Sequence, residues 1–118
     1  MTRIITLKKN YQFQTVFNQG KSYATKFLVV FIRENSLDYN RVGFCVGKKV
    51  GNSVQRNRVK RLIKEVFRIY NPYLHQGFDL VFIGRHRASE MSYQQCKKDF
   101  LTLIKKSKIL PRDMVNMI

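Results

Sequence analysis

The run KKVGNSVQRNRVKRLIK, from Lys48 to Lys64, decides how this chain is read. Asn52 and Ser53 are both good N-cap residues, because their side-chain oxygens accept from N–H groups that a first helical turn leaves free. The pattern predicts a long helix from there to about Tyr70, ended by Asn71-Pro72. Helical geometry of about 100° per residue puts Val66, Tyr70, Ile63, Leu62 and Phe67 within about 80° of Val59, as an apolar stripe. Lys60, Lys64, Asn57, Arg68 and Arg61 take the opposite side, and Arg56 and Arg58 fall on the two borders of the stripe. Glu65 is the only acid in the helix. One face therefore holds the helix to the body, and the other is a nearly uninterrupted cationic ridge. Solvated helix faces usually mix both signs in i,i+4 pairs, and this one does not.

Upstream, residues 1–9 are basic and apolar and read as extended. Asn10 to Asn18 reads as a short helix with Phe13, Val16 and Phe17 on one side and Gly20 as its C-terminal cap. Phe27 to Arg33, FLVVFIR, is β-branched and aromatic and predicts a strand. Its alternate positions put Phe27, Val29 and Phe31 on one face and Leu28, Val30 and Ile32 on the other. Glu34 to Asn40 supplies a polar turn into a second strand, Arg41 to Gly47, and the two are expected to pair as an antiparallel hairpin. Downstream, Phe78 to Gly84 is apolar nearly throughout and predicts a strand central in its sheet. A basic loop, Arg85-His86-Arg87, follows. Ser92 with Gln95 resembles a capping box and opens a last helix to about Lys106, striped by Tyr93, Cys96, Phe100, Leu103 and Ile104. The expected order is α-β-β-α-β-α, an α+β sandwich of a small sheet with helices packed on it, forming one domain over residues 1–118. The end of the chain, residues 109–118, carries no strong signal and is expected to fray.

The charge balance is the unusual part of the composition. Lys and Arg total 23 against 7 Asp and Glu, giving a net +16. A compact domain this unbalanced repels itself, so the natural inference is a polyanionic partner. Arg offers a planar fork that can take a phosphate bidentately, and Lys a mobile point charge. Asn57, between two arginines, can donate to a phosphate or sugar through its amide. Gly51-Asn52-Ser53 entering the helix could offer backbone N–H groups to an anion, or could simply be a turn that needs small residues.

Other classes fit less well. The acids Glu34, Asp38, Glu65, Asp79, Glu90, Asp99 and Asp113 are scattered, and His75 and His86 each stand alone, so a free-standing nuclease lacks its carboxylate cluster. Cys45 and Cys96 have no neighbours at ligand spacing and read as buried, reduced thiols. There is no signal-peptide core and no apolar run of about 20 residues, so a cytoplasmic protein with no membrane partner is expected. A duplex-DNA reader is disfavoured because no helix-turn-helix pair precedes the basic helix. A ribosomal or other structural RNA-binding protein fits composition and helix alike.

The run from Gly47 to Leu62, with Arg56-Asn57-Arg58 at its centre, resembles the signature of the bacterial ribonuclease P protein family. Leu7-Lys8-Lys9 followed by Phe13, Val16-Phe17 and Gly20 looks like the family's first helix, and Arg41-Val42-Gly43 leads into its third strand. The likeness covers roughly residues 7–106. It implies a four-stranded sheet of the ribosomal protein S5 domain 2-like kind, with a short N-terminal strand within residues 3–7. It also implies a left-handed crossover between parallel strands through the basic helix, against the usual right-handed rule.

The resemblance further implies that the protein is a subunit of an endoribonuclease removing the 5′ leader of precursor tRNA. The catalytic groups and Mg²⁺ then belong to the RNA subunit, with no catalytic or metal-binding residue on this chain and no obligate protein partner. Arg56, Asn57, Arg58, Lys60, Arg61, Lys64 and Arg68 would dock on the catalytic RNA. Phe13, Phe17, Phe31, Lys48, Lys49 and Asn52 would line a cleft for the single-stranded leader, where aromatic faces beside a cationic groove stack bases. Phe31 stands where the family often has Tyr, which keeps the stacking face and removes a hydroxyl.

Overall fold

The computed structural model describes residues 3–111 and 114. The elements are β1 (Ile5–Thr6), α1 (Asn10–Gln19), β2 (Lys21–Ala24), β3 (Leu28–Glu34), β4 (Arg41–Cys45), α2 (Ser53–Tyr70), β5 (Phe78–Gly84) and α3 (Tyr93–Lys106). Short 3-10 turns, Asn71–Tyr73 and Ala88–Glu90, precede β5 and α3. The sheet has five strands in the order β1-β4-β5-β3-β2. The α+β class therefore holds, with five strands in place of the expected four.

The difference is β2, a short polar edge strand antiparallel to β3. Its sequence, KSYA, has no apolar alternation, and it becomes a strand by pairing alone. A lysine at its start and its short length suit an edge that must not recruit other chains. The expected β3–β4 hairpin is also corrected. β5 lies between them, antiparallel to β3 and parallel to β4. Its apolar run suits that central position. Thus α2 crosses over between parallel neighbours β4 and β5, as the resemblance implies, and β1 adds to β4 in parallel.

Local signals set the helix ends. Asn52 accepts from the Gln55 N–H while Gln55 accepts from the Asn52 N–H, and Ser92 with Gln95 repeats the arrangement at α3. Gly51, at φ +155°, needs to be glycine: a Cβ there would run into the Gln55 side chain that makes the cap. Gly20 does cap α1, donating to the Val16 carbonyl, but its backbone is ordinary extended chain. Glycine is required there for space, since a Cβ would sit 2.9 Å from the Ile32 carbonyl oxygen.

The sheet is covered on both faces. On one, Leu28, Val30, Ile32, Val42, Leu80 and Phe82 pack beneath α2 and α3, whose Val59, Ile63, Val66, Phe67, Cys96, Phe100, Leu103 and Ile104 are buried. Phe82 and Phe100 stack at 5.4 Å, and Phe67 meets both edge-on. On the other face α1 alone supplies cover, over a smaller cluster of Leu7, Val16 and Val81 with Phe13, Phe17, Phe31, Cys45 and Ile83. The expected fraying from residue 109 is corrected in part. Ile109 and Leu110 are buried, and the His75 N–H donates to the Ile109 carbonyl at 2.7 Å. The rest of that expectation, residues 112–113 and 115–118, lies outside the described residues.

Candidate nucleic-acid interface

The ridge of α2 stands as the sequence periodicity sets it. Val59, Ile63, Val66 and Phe67 are buried, and Asn57, Lys60, Arg61 and Lys64 are exposed on the other side. Among the described residues these four side chains have no hydrogen-bond or ion-pair partner, so their donors face solvent. The remaining three members of the expected set differ from them. Arg68 is paired with Glu65, its Nε donating at 3.2 Å, which offsets its charge. That exposed pair is worth about 0–1 kcal/mol and yields readily to a phosphate. Arg58 reaches back to the Ser89 carbonyl at 3.4 Å and the Met91 carbonyl at 3.0 Å. Arg56 is half-buried, and its Nε is buried with no partner.

The cleft lies on the opposite face of the sheet. Strand register lays its side chains out in rows across β4, β5 and β3: Arg41–Asp79–Arg33, then Gly43–Val81–Phe31, then Cys45–Ile83–Val29. α1 crosses above the middle row. Phe13 rests on Gly43, where a Cβ would enter the phenyl ring, and Phe17 meets Phe31 edge-on at 5.1 Å. Gly43 is thus the seat that lets α1 approach the sheet. Phe13, Phe17 and Phe31 are half-buried. Beside them Cys45, Ile83 and Val29 form a half-buried apolar floor.

Cations rim this floor. Lys48 and Lys49 are exposed in the turn that leaves β4, where the Val50 N–H closes on the Gly47 carbonyl at 3.1 Å. Asn52 is exposed, with its carbonyl oxygen committed to the helix cap and its amide nitrogen left to donate. The same capping box occupies the Asn52 and Gln55 N–H groups, which narrows the anion site read in Gly51-Asn52-Ser53. Burial pushes the Cys45 thiol up, and the Lys60 charge acts in the opposite direction. Cys96, buried on the inner side of α3, is pushed up to about 12 by burial.

Arg85, just past the end of β5, is a cation outside the expected site set. Its N–H pairs with the Phe27 carbonyl, and its guanidinium donates to the Thr25 carbonyl at 2.8 Å. The flank of α1 away from the cleft is a different environment. There Tyr11, Gln12 and Thr15 line a cavity of about 270 Å³ with Arg33, Asn35, Arg41 and Asp79.

Four of the seven acids are spent on structure. Asp79 is bound by Arg41, Glu65 by Arg68 and Glu90 by Arg87, while Asp99 accepts from the Thr25 hydroxyl and the Phe27 N–H. Among the described residues no group of three or more His, Cys, Asp or Glu is placed to hold a metal ion. No helix of the described residues is long and apolar enough to cross a membrane.

A basic ridge thus lies on one face and an aromatic cleft on the other. The model of the ribonuclease P family matches residues 1–108. The chain belongs to the ribonuclease P protein family. It is 58% identical to the ribonuclease P protein component of Natranaerobius thermophilus, over 98% of this chain and the whole of that one. It is 46% identical to that of Alkaliphilus metalliredigens, over 88% of this chain and 94% of the other. The solved ribonuclease P protein of Staphylococcus aureus superposes with a TM-score of 0.84 at 32% identity, covering 92% of this chain and all of that one. That of Thermotoga maritima gives 0.78 at 33% identity, covering 86% and 96%. Membership of this family is consistent with a role in processing the 5′ leader of tRNA, and the ribosomal-protein alternative is set aside.

Proposed function

We propose that the protein works as an adaptor within ribonuclease P, holding the catalytic RNA on the α2 ridge and the 5′ leader of precursor tRNA in the α1 cleft. The observation that carries this reading is the separation of the two surfaces. One is a row of unpartnered cations suited to phosphates, and the other is an apolar, aromatic floor with a cationic rim suited to an unpaired strand. Asn57, Lys60, Arg61 and Lys64 supply the free donors of the first, joined by Arg56 and, once released from Glu65, Arg68, while Arg58 borders the row and positions it. Phe13, Phe17 and Phe31, with Lys48, Lys49 and Asn52, supply the second. Hydrolysis and its Mg²⁺ ions are assigned to the RNA subunit. The protein's own part is to bind, orient and neutralise charge.

Reconstitution with a bacterial ribonuclease P RNA at low Mg²⁺ tests the reading. Addition of the protein is expected to raise cleavage of precursor tRNA well above that of the RNA alone, and no gain would reject it. A finer test is Phe17→Ala. Stacking on an aromatic is worth about 1–3 kcal/mol per base, so the variant holoenzyme should bind leader-bearing tRNA roughly 5- to 150-fold more weakly. Its affinity for mature tRNA should not change. Equal losses for both would show that the cleft does not take the leader.

A further inference from the structure

The two arginines of the Arg56-Asn57-Arg58 run do different jobs. They stand symmetrically in sequence, one on each border of the apolar stripe of α2, and the tertiary structure breaks that symmetry. Arg58 turns toward the body. Its guanidinium donates to the Met91 carbonyl at 3.0 Å and, more weakly, to the Ser89 carbonyl at 3.4 Å. Its charge also acts on the Cys96 thiol in the first turns of α3. The segment it grips is the 3-10 turn Ala88–Glu90 and the entry to α3. Arg56, on the other border, keeps a buried Nε with no acceptor. The η nitrogens of the same guanidinium have no partner among the described residues and remain to meet a phosphate oxygen.

We infer that Arg58 is a positioning residue, a strut that sets the angle of the RNA-docking ridge against the α3 entry, and that Arg56 makes the direct phosphate contact. Two carbonyl oxygens accept from two nitrogens of one guanidinium, a fork that a lysine cannot reproduce. The donors turned to those carbonyls are withdrawn from any RNA. The strut ties α2 to a loop that belongs to neither the sheet nor the ridge. Without it the N-terminal half of α2 keeps its apolar seat and loses its lateral anchor.

This inference rests on the reading that α2 docks the catalytic RNA, and its test separates the two. Affinity of the full-length protein for a bacterial ribonuclease P RNA is measured against salt concentration, well below the melting midpoint of each variant. Arg56→Ala is expected to lower the slope of log affinity on log salt by about one, the signature of a lost phosphate contact. Arg58→Ala and Arg58→Lys are expected to weaken binding alike, by about tenfold, with the slope unchanged. Amide exchange in residues 88–92 should quicken in both.

Wild-type affinity in Arg58→Lys, or a slope lowered by about one in Arg58→Ala, would overturn the strut. Full affinity in folded Arg58→Ala would also overturn it, by leaving Arg58 with a role in stability alone. Arg58→Lys, the milder change, keeps the test open if the alanine variant fails to fold. If instead Arg56→Ala and Arg61→Ala leave RNA binding intact, the docking reading of α2 is what fails. The exchange measurement then still decides whether Arg58 anchors the turn.

Discussion

Asp79→Ala is expected to destabilise the protein by about 3–5 kcal/mol, the usual cost of removing one partner from a buried ion pair. Asp79 is 1% exposed and carries the middle of a row that crosses three strands. From β4, Arg41 donates through Nε and an η nitrogen, both at 2.8 Å. From β3, Arg33 lies 3.5 Å away, and Asn35 just beyond that strand donates at 2.9 Å. The hydrogen bond to Asp79 is the largest cause holding the Arg41 guanidinium above its ordinary value. Alanine would leave two guanidinium groups facing each other across β5, and the Asn35 amide with the Tyr39 carbonyl but without its carboxylate acceptor. Urea unfolding checks this: the midpoint should fall with the slope unchanged. A loss under about 1 kcal/mol would mean that the strands are pinned by packing alone.

That row also shows where sequence reading stops. α2 and α3 were legible to within a residue or two because their caps and 3.6-residue stripes are local. Asn52 with Gln55 and Ser92 with Gln95 act within a single turn. β5 was legible as central because Leu80, Val81 and Phe82 leave no polar face. The partners of β5 were not legible. Consecutive strands β3 and β4 suggested a hairpin, but Arg33, Asp79 and Arg41 come together only when the chain returns after α2 and inserts β5 between them. β2 escaped because Lys21, Ser22 and Ala24 are exposed and carry no pattern.

The site divides the same way. Phe13 and Phe17 could be placed on one side of a helix, and the cationic residues on another, by periodicity alone. Their seats could not, because Gly43 under Phe13 and Phe31 against Phe17 are contacts between distant segments. The helical wheel puts Arg56 and Arg58 on equivalent borders, and only the Met91 carbonyl tells them apart. The parallel strands flanking α2 came from the family resemblance.

The largest effect on RNA binding is expected from the triple substitution Lys60→Ala, Arg61→Ala and Lys64→Ala. These three are exposed and unpartnered among the described residues, so their removal takes little from the fold. Glu65 beside them is already held by Arg68, so no acid on α2 is left to repel RNA in their place. Each lost phosphate contact lowers the slope of log affinity on log salt by about 0.7–0.9. The slope should therefore fall by about two to three, and affinity near 0.1 M salt by roughly two to three orders of magnitude. The melting temperature should hold or rise slightly, since a strongly basic chain sheds self-repulsion with every cation removed. Leader discrimination by the assembled holoenzyme should persist at saturating protein, because Phe13, Phe17 and Phe31 stand on the far face of the sheet. A filter-binding titration over a salt series reads the slope directly. An unchanged slope would place the RNA elsewhere on this basic surface, and a lost leader preference would mean that ridge and cleft form one site.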